Sequence, residues 1–314
     1  MTPWLLMAVP FLGASLSLLL GASLRRMKTS ALLTTVASML VVIVTPWALG
    51  DTLAGVPFLC LLPVTAFLSL LGQPLHRDNT PAWTATLTLL GLGLGILTAQ
   101  APAHDVMLLI LPGMLCILLY RHQSGATVET CRGLSAYGVS MVSAALALLL
   151  PTPASTVALL VTCATLLPLL PVHSGFIATL TGLPGNLPAF LVFLLPTIGF
   201  HTFLTLLPNL TVPTLHTVAI LALAGAVYGS LRALIQTRPL PRLAYAALAF
   251  FGLLWWYIAE TGTAPMQATV YLSAVGLAAS GLLLAAYAIR ARYGDIDPRA
   301  LSGLAYPMPR FSTL

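Results

Sequence analysis

The chain has 314 residues, of which 59% are hydrophobic and 6% are charged, and its formal net charge is +6. Because an ordinary soluble domain carries about 25% charged residues, this composition excludes a soluble globular protein, a disordered chain and a nucleic-acid binder. The remaining class is an all-α polytopic membrane protein, in which an excess of bases reports topology.

Eleven apolar segments follow one another along the chain, separated by turn signals such as PTPAS at 151–155. A transmembrane helix needs about 20 apolar residues. We therefore predict about 11 transmembrane helices, at 3–24, 29–50, 53–72, 82–101, 105–120, 134–151, 154–172, 186–207, 214–236, 240–260 and 266–290.

The basic residues orient these spans. All 13 Lys and Arg residues fall after the first, third, fifth, ninth and eleventh spans, whereas the opposite loops carry Asp51, Asp105 and Glu260. Lys and Arg collect in cytoplasmic loops. We expect an integral protein of a prokaryotic inner (plasma) membrane, with its N-terminus outside and its C-terminus in the cytoplasm.

The fourth span contains the run GLGLG at 91–95. No strand precedes it, so a dinucleotide site is excluded, and the small residues indicate close helix packing. In the tenth span, Trp255 and Trp256 indicate packing or anchoring at the membrane interface.

A helix break is predicted between Leu166 and Pro188. Proline lacks a backbone N–H and interrupts a helix, and transporters place ion sites at such breaks. The prolines of the predicted broken helix are Pro168, Pro171, Pro184 and Pro188.

Ionisable side chains are nearly absent from the spans, which leaves His173, His201 and His216 as candidates. His173 follows the broken helix and could line a polar path or bond a freed carbonyl. His201, in the middle of the eighth span, could relay protons or bond a neighbouring helix. The loop histidines His76, His104 and His122 need no special explanation, and no histidine pair has metal-ligand spacing, so we expect no metal site.

The run Pro-Leu-Leu-Pro-Val-His at 168–173 resembles the broken-helix signature of the antiporter-like membrane subunits of respiratory complex I (the proton-translocating NADH-quinone oxidoreductase). Mrp antiporters and membrane hydrogenases share this signature. The co-linear matches are Pro168, Pro171, His173, Pro184, Gly199, Ala244, Tyr245, Gly252, Gly303, Leu304, Met308 and Pro309.

The resemblance implies a single membrane domain over 1–314, with N-terminal helices in 1–80, a first antiporter-like repeat in 82–207 and a partial second repeat in 214–314. It also implies an antiporter-like fold that lacks its last three helices. The charged residues of the family's proton channel are replaced in this sequence. The replacements are Gly113 or Met114, Leu166, Thr197, Phe250 and Ala279.

Three functions remain open. The first is a non-redox structural or assembly subunit of a larger membrane complex. The second is a proton or cation translocation module completed by a partner chain, with a candidate polar path through His173, Thr197 and His201. The third is an accessory subunit of an inorganic-carbon uptake or hydrogenase complex. In each case we expect other integral membrane subunits and the lipid bilayer as partners, no nucleic acid, no cofactor and no catalytic chemistry in this chain.

Overall fold

The computed structural model describes residues 2–21, 23–49, 57–73, 75–76, 79–122, 128–263 and 266–293. Within these ranges the regular elements are helices, and no strand is present. The first six are α1 (Thr2–Leu19), α2 (Leu24–Leu49), α3 (Pro57–Leu71), α4 (Thr80–Thr98), α5 (Ala103–Arg121) and α6 (Val128–Leu149). The others are α7 (Ala154–Leu166), α8 (Ser174–Gly182), α9 (Leu187–Leu206), α10 (Val212–Ile235), α11 (Pro239–Thr261) and α12 (Met266–Tyr293).

These helices follow the predicted spans in order. Eight of them are long and apolar enough to cross a membrane, and three shorter apolar helices lie at Trp4–Leu19, Pro57–Leu71 and Ala154–Leu166. The seventh predicted span corresponds to α7 and the non-helical segment after it, and α8 is a short helix that the hydropathy pattern did not predict. The prediction of an all-α polytopic membrane protein is confirmed.

Proline and glycine mark several helix ends. A proline occupies the first or second position of α4, α9, α10 and α11, where the missing N–H would have no partner inside the helix. Gly262 ends α11 with φ +60, a left-handed conformation that favours glycine. These residues set the lengths of the helices.

Helix α9 lies at the centre of the core. Most of its residues are buried, and it packs against α3, α4, α7, α8 and α12. Glycines allow its neighbours to approach closely: a Cβ on Gly93 of α4 would lie 2.5 Å from Leu194, and one on Gly276 of α12 would lie 2.6 Å from Phe193. The interpretation of GLGLG as a packing motif agrees with these contacts.

Hydrogen bonds define one end of the bundle, which we call the basic end. Lys28, near the start of α2, donates to the carbonyls of Leu71 and Gln73 at the end of α3. Ser69 Oγ donates to the Asn186 carbonyl before α9 at 2.7 Å. Arginines of the α5–α6 and α10–α11 junctions and the last turn of α12 belong to this end. They are Arg121, Arg132, Arg232, Arg238, Arg242, Arg290 and Arg292.

Candidate functional site

The broken helix lies between α7 and α8. Helix α7 ends at Leu166 and α8 begins at Ser174, so the chain is non-helical over 167–173, where Pro168 and Pro171 lie. In an unbroken helix the Ala164 carbonyl would bond residue 168, and the Leu167 carbonyl would bond residue 171. Both of those residues are prolines and have no proton to donate. Two carbonyls in the membrane interior therefore require other donors.

The structure supplies both donors. The Leu169 amide donates to the Ala164 carbonyl at 2.9 Å, which skips Pro168. The indole Nε1 of Trp255, a fully buried residue of α11, donates to the Leu167 carbonyl at 3.0 Å. The indole N–H of Trp255 thus takes the place of the backbone N–H that Pro171 lacks. This hydrogen bond makes its role more specific than the packing or anchoring that the sequence indicates.

Pro184 creates the same requirement after α8. It deprives the Leu180 carbonyl of its helical partner. The Tyr287 hydroxyl of α12 donates to that carbonyl at 3.0 Å and lies 3.4 Å from the Leu183 carbonyl. The sequence identifies the prolines but neither aromatic donor. The sequence does show which carbonyls need another donor, because the carbonyl four residues before each proline loses its helical partner.

His173 lies at the end of the break and faces a polar cavity. The cavity has a volume of 330 Å³ at the basic end of the bundle. Its polar lining includes Arg132, His173, Ser174, Tyr228, Arg232 and Tyr245.

The His173 ring packs edge-on against Tyr228, with 5.3 Å between the ring centroids. Its Nδ1 is buried without a well-formed hydrogen bond among the described residues, and the His173 side chain interacts with the backbone of Pro171. The carbonyl that Pro171 frees is bonded by Trp255 instead, so the alternative that His173 bonds it does not apply at Leu167.

His201 belongs to a separate polar cluster at the opposite end of the bundle, which we call the outer cluster. His201 lies five residues before the end of α9, rather than in its middle, and its ring centroid is 6.2 Å from that of His104. His104 Nε2 lies 3.3 Å from Thr202 Oγ1, and its Nδ1 lies 2.9 Å from Asp105 Oδ1. The outer cluster therefore consists of His104, Asp105, His201 and Thr202.

One histidine differs from its sequence-based interpretation. His104, treated as a loop residue, lies in the first turn of α5 and is only 8% exposed. Its burial depends on α9, which is distant in sequence. His216, counted among the intramembrane histidines, is exposed in the first turns of α10.

Thr197 lies one helical turn before His201, on the same face of α9. It is fully buried, and its hydroxyl has no partner in the described part of the chain. No described contact joins it to His173. Thr197 therefore lies beside His201 on α9, whereas His173 lines the polar cavity at the basic end.

Comparison with known proteins places this arrangement in context. The family model described as NADH:quinone oxidoreductase/Mrp antiporter, TM, matches residues 108–314. The match begins in α5, ahead of the motif-bearing segment that starts at residue 168. No curated protein matches the chain.

Solved structures share the fold over the full length. A chain of respiratory complex I from Thermus thermophilus with bound NADH is similar with a TM-score of 0.79 and 19% identity, covering 100% of this chain and 76% of that one. A chain of the membrane-bound sulfane sulfur reductase, an archaeal respiratory membrane complex, is similar with a TM-score of 0.78 and 15% identity, covering 99% of this chain and 76% of that one. With its antiporter-like fold and the family match over 108–314, the chain belongs to the NADH:quinone oxidoreductase/Mrp antiporter membrane family.

Proposed function

We propose that the chain is a structural membrane subunit of a multi-subunit complex and does not conduct protons by itself. The observation that carries this proposal is the distribution of charge. Within the described ranges, every Asp, Glu, Lys and Arg lies within five residues of a helix end. The central parts of the helices carry no charged side chain that could stabilise an excess proton in a low-dielectric interior.

Two buried positions illustrate the argument. Leu166, the last residue of α7, and Thr197 of α9 are both fully buried. By the resemblance, conducting members of the family carry a lysine at the first of these positions and a lysine or a histidine at the second. Unit charges about 4 Å apart interact by about 4 kcal/mol even at an effective dielectric of 20. Leucine and threonine provide none of this coupling, which favours a scaffold that has lost the mechanism.

The outer cluster supports a second candidate, a translocation module that a partner chain completes. His104, Asp105 and His201 bring titratable groups together at one end of α9, and Thr197 extends the polar face inward by one turn. This cluster could carry a proton only part of the way across the membrane, because α7, α8 and the remainder of α9 carry no acid or base in their described residues. A partner would have to supply the other half.

Proton flux in liposomes distinguishes the two candidates. With an imposed pH gradient and a trapped pH-sensitive dye, we expect the purified chain to give the same flux as protein-free liposomes. A His201→Ala variant should leave this baseline unchanged, as should His216→Ala, a control that removes an exposed histidine of α10.

Flux above the baseline that falls in His201→Ala but not in His216→Ala would overturn the structural proposal. Flux that arises only when a co-purifying membrane subunit is added, and that depends on His201, would establish the translocation module instead. Retention of the chain in a larger detergent-extracted complex without flux in either state is the result that the structural proposal requires.

A further inference from the structure

One face of α6 runs along both sides of the broken helix. Helix α6 contains no proline, and it packs against α7 as well as against α8. The residues of this face recur at intervals of three or four, which places them on one side of a helix. They are all buried: Gly133, Tyr137, Ser140, Ala144 and Ala147. A single unbroken helix therefore contacts the two elements that the break separates.

On the α7 side, hydroxyl groups make the contact. Thr165 Oγ1 lies 2.7 Å from Ser140 Oγ, and Thr162 Oγ1 lies 3.4 Å from the Ser140 carbonyl oxygen. All three residues are fully buried. Water is absent from the hydrocarbon region, so a hydrogen bond lost between α6 and α7 cannot be exchanged for one to solvent.

On the α8 side, α6 approaches more closely. The Tyr137 hydroxyl lies 2.6 Å from Thr179 Oγ1, and both residues are fully buried. Gly133 allows the two helices to meet, because a Cβ at this position would lie 2.3 Å from the Ala178 Cβ. Close packing and a hydrogen bond thus join α6 to the middle of α8.

The first residues after the break are held by the same helix. Ser174 Oγ donates to the Arg132 carbonyl at 3.0 Å. At the next residue, a Cβ on Gly175 would lie 3.1 Å from the Tyr137 ring. Helix α8 is therefore fixed to α6 from its first turn.

Helix α11 closes the opposite side of the break. Trp255 donates to the Leu167 carbonyl, and Phe251 packs edge-on against Phe176 of α8, with 5.9 Å between the ring centroids. A hinge needs a few residues that are free to change φ and ψ. Here the chain on each side of the break is bonded and packed on two of its faces.

We propose that α6 is a brace that holds α7 and α8 as one rigid body, so that the broken helix is a fixed joint and not a moving gate. Transporters build their ion sites at broken helices and open them by moving one bundle against another. The brace prevents such movement at this break. The proposal goes beyond the structural role proposed above and does not depend on it, because a conducting chain could also keep its break rigid.

Amide hydrogen exchange of the full chain in detergent, measured by mass spectrometry of proteolytic fragments, tests the brace. Exchange rates report the free energy of local opening. In the break, the Leu167 and Leu169 amides donate to the carbonyls of Cys163 and Ala164. We expect fragments with these amides to exchange as slowly as fragments of α9. Exchange about 100-fold faster than in α7 and α8 would indicate a hinge and overturn the proposal.

Two variants that keep the shape of the side chain test the coupling. Tyr137→Phe removes the hydroxyl that contacts α8, and Thr165→Val removes the one that contacts Ser140. Each should raise the exchange rate about three- to tenfold, the effect of one hydrogen bond. The increase should appear on both sides of the break: Tyr137→Phe should also affect the end of α7, and Thr165→Val should also affect α8.

Matched controls remove the same groups elsewhere. Tyr257→Phe acts at a position that is 36% exposed. Thr88→Val removes a hydroxyl whose described hydrogen bond stays within α4, to the Thr84 carbonyl. Neither control should change exchange in α7, α8 or the segment between them.

An increase confined to the side of the break that carries the lost contact would show that α7 and α8 open independently, and the proposal would be wrong. Equal effects of a variant and its control would also contradict it, as would an equal increase in α2 and α3, because the whole fold would then be weakened. Circular dichroism and size-exclusion profiles identify a variant that fails to fold. The other variant and the unmodified chain then decide the question.

Discussion

Two prolines each leave a backbone carbonyl without its helical donor, and in this structure a specific aromatic side chain donates to that carbonyl. Pro171 frees the Leu167 carbonyl, which Trp255 bonds, and Pro184 frees the Leu180 carbonyl, which Tyr287 bonds. Water is absent from the hydrocarbon region, so a carbonyl without such a donor would be costly. These two aromatic residues tie α11 and α12 to the segments on either side of α8.

The indole–carbonyl bond can be tested by Trp255→Phe, which keeps an aromatic ring and removes the donor. Because the Leu167 carbonyl then lacks a partner in a buried site, we expect a loss of about 1–3 kcal/mol in the free energy of unfolding. Denaturant unfolding in detergent micelles measures this value.

The neighbouring residue provides a control, since Trp256 is 37% exposed. Trp256→Phe should change the free energy of unfolding by less than about 0.5 kcal/mol, as is usual for surface positions. Equal losses in the two variants would show that ring packing, and not the hydrogen bond, stabilises this region.

At the scale of elements, the close approach of α9 to the end of α7 depends on one glycine. A Cβ on Gly199 would lie 2.5 Å from the Leu167 backbone nitrogen and 2.8 Å from Leu167 Cβ. The first of these atoms is backbone and cannot swing aside as the end of a side chain could. Gly199 therefore sets the spacing between α9 and the broken helix.

Gly199→Ala should force these two elements apart. Overpacking of this kind typically costs about 1–3 kcal/mol, which we expect as a lower unfolding temperature in detergent. Gly281→Ala on α12 is the control, because a Cβ at that position meets nothing within 4 Å. An unfolding temperature as high in Gly199→Ala as in Gly281→Ala would contradict the close contact.

The order of the helices followed from the sequence except for α8, and the predicted ends lie within three residues of the observed ones for α4, α5 and α9–α12. Pro, Gly and the apolar runs fix most helix ends, because proline terminates or starts helices whatever surrounds it. The nine residues of α8 are too few to give a clear periodic signal, and isolated short helices are marginally stable. Packing against α6, α9 and α11 provides the stability that its length does not.

For the whole molecule, the distribution of charge predicts an orientation in the membrane. The arginines of the α5–α6 and α10–α11 junctions lie at the basic end, whereas Glu260 lies at the other end of α11. Lys and Arg are retained on the cytoplasmic side. The basic end is accordingly predicted to face the cytoplasm.

Reporter fusions test this orientation. We expect a reporter fused after Gly50 or Glu260 to lie on the external side of the membrane, and one fused after Gly125 or Gly294 to lie in the cytoplasm. Of these fusion points, Gly50, Gly125 and Gly294 lie outside the described residues. Paired alkaline phosphatase and fluorescent-protein fusions measure both states. A cytoplasmic reporter at Glu260 would be incompatible with the predicted orientation.

The sequence by itself determined the membrane class, the order of the helices and the position of the break. Each of these depends on local features: apolar length, turn residues and prolines act on their immediate neighbours. The resemblance carried by Pro168, Pro171 and His173 also indicated the family, because these residues are contiguous in sequence.

Only the tertiary structure decided which side chains meet. Trp255 reaches Leu167 across 88 residues, Tyr287 reaches Leu180 across 107, and Thr202 reaches His104 across 98. The candidate polar residues separated into two clusters at opposite ends, since α9 carries His201 away from the break where His173 lies. Such pairings depend on helix packing over long sequence separations, and no local pattern in a single sequence encodes them.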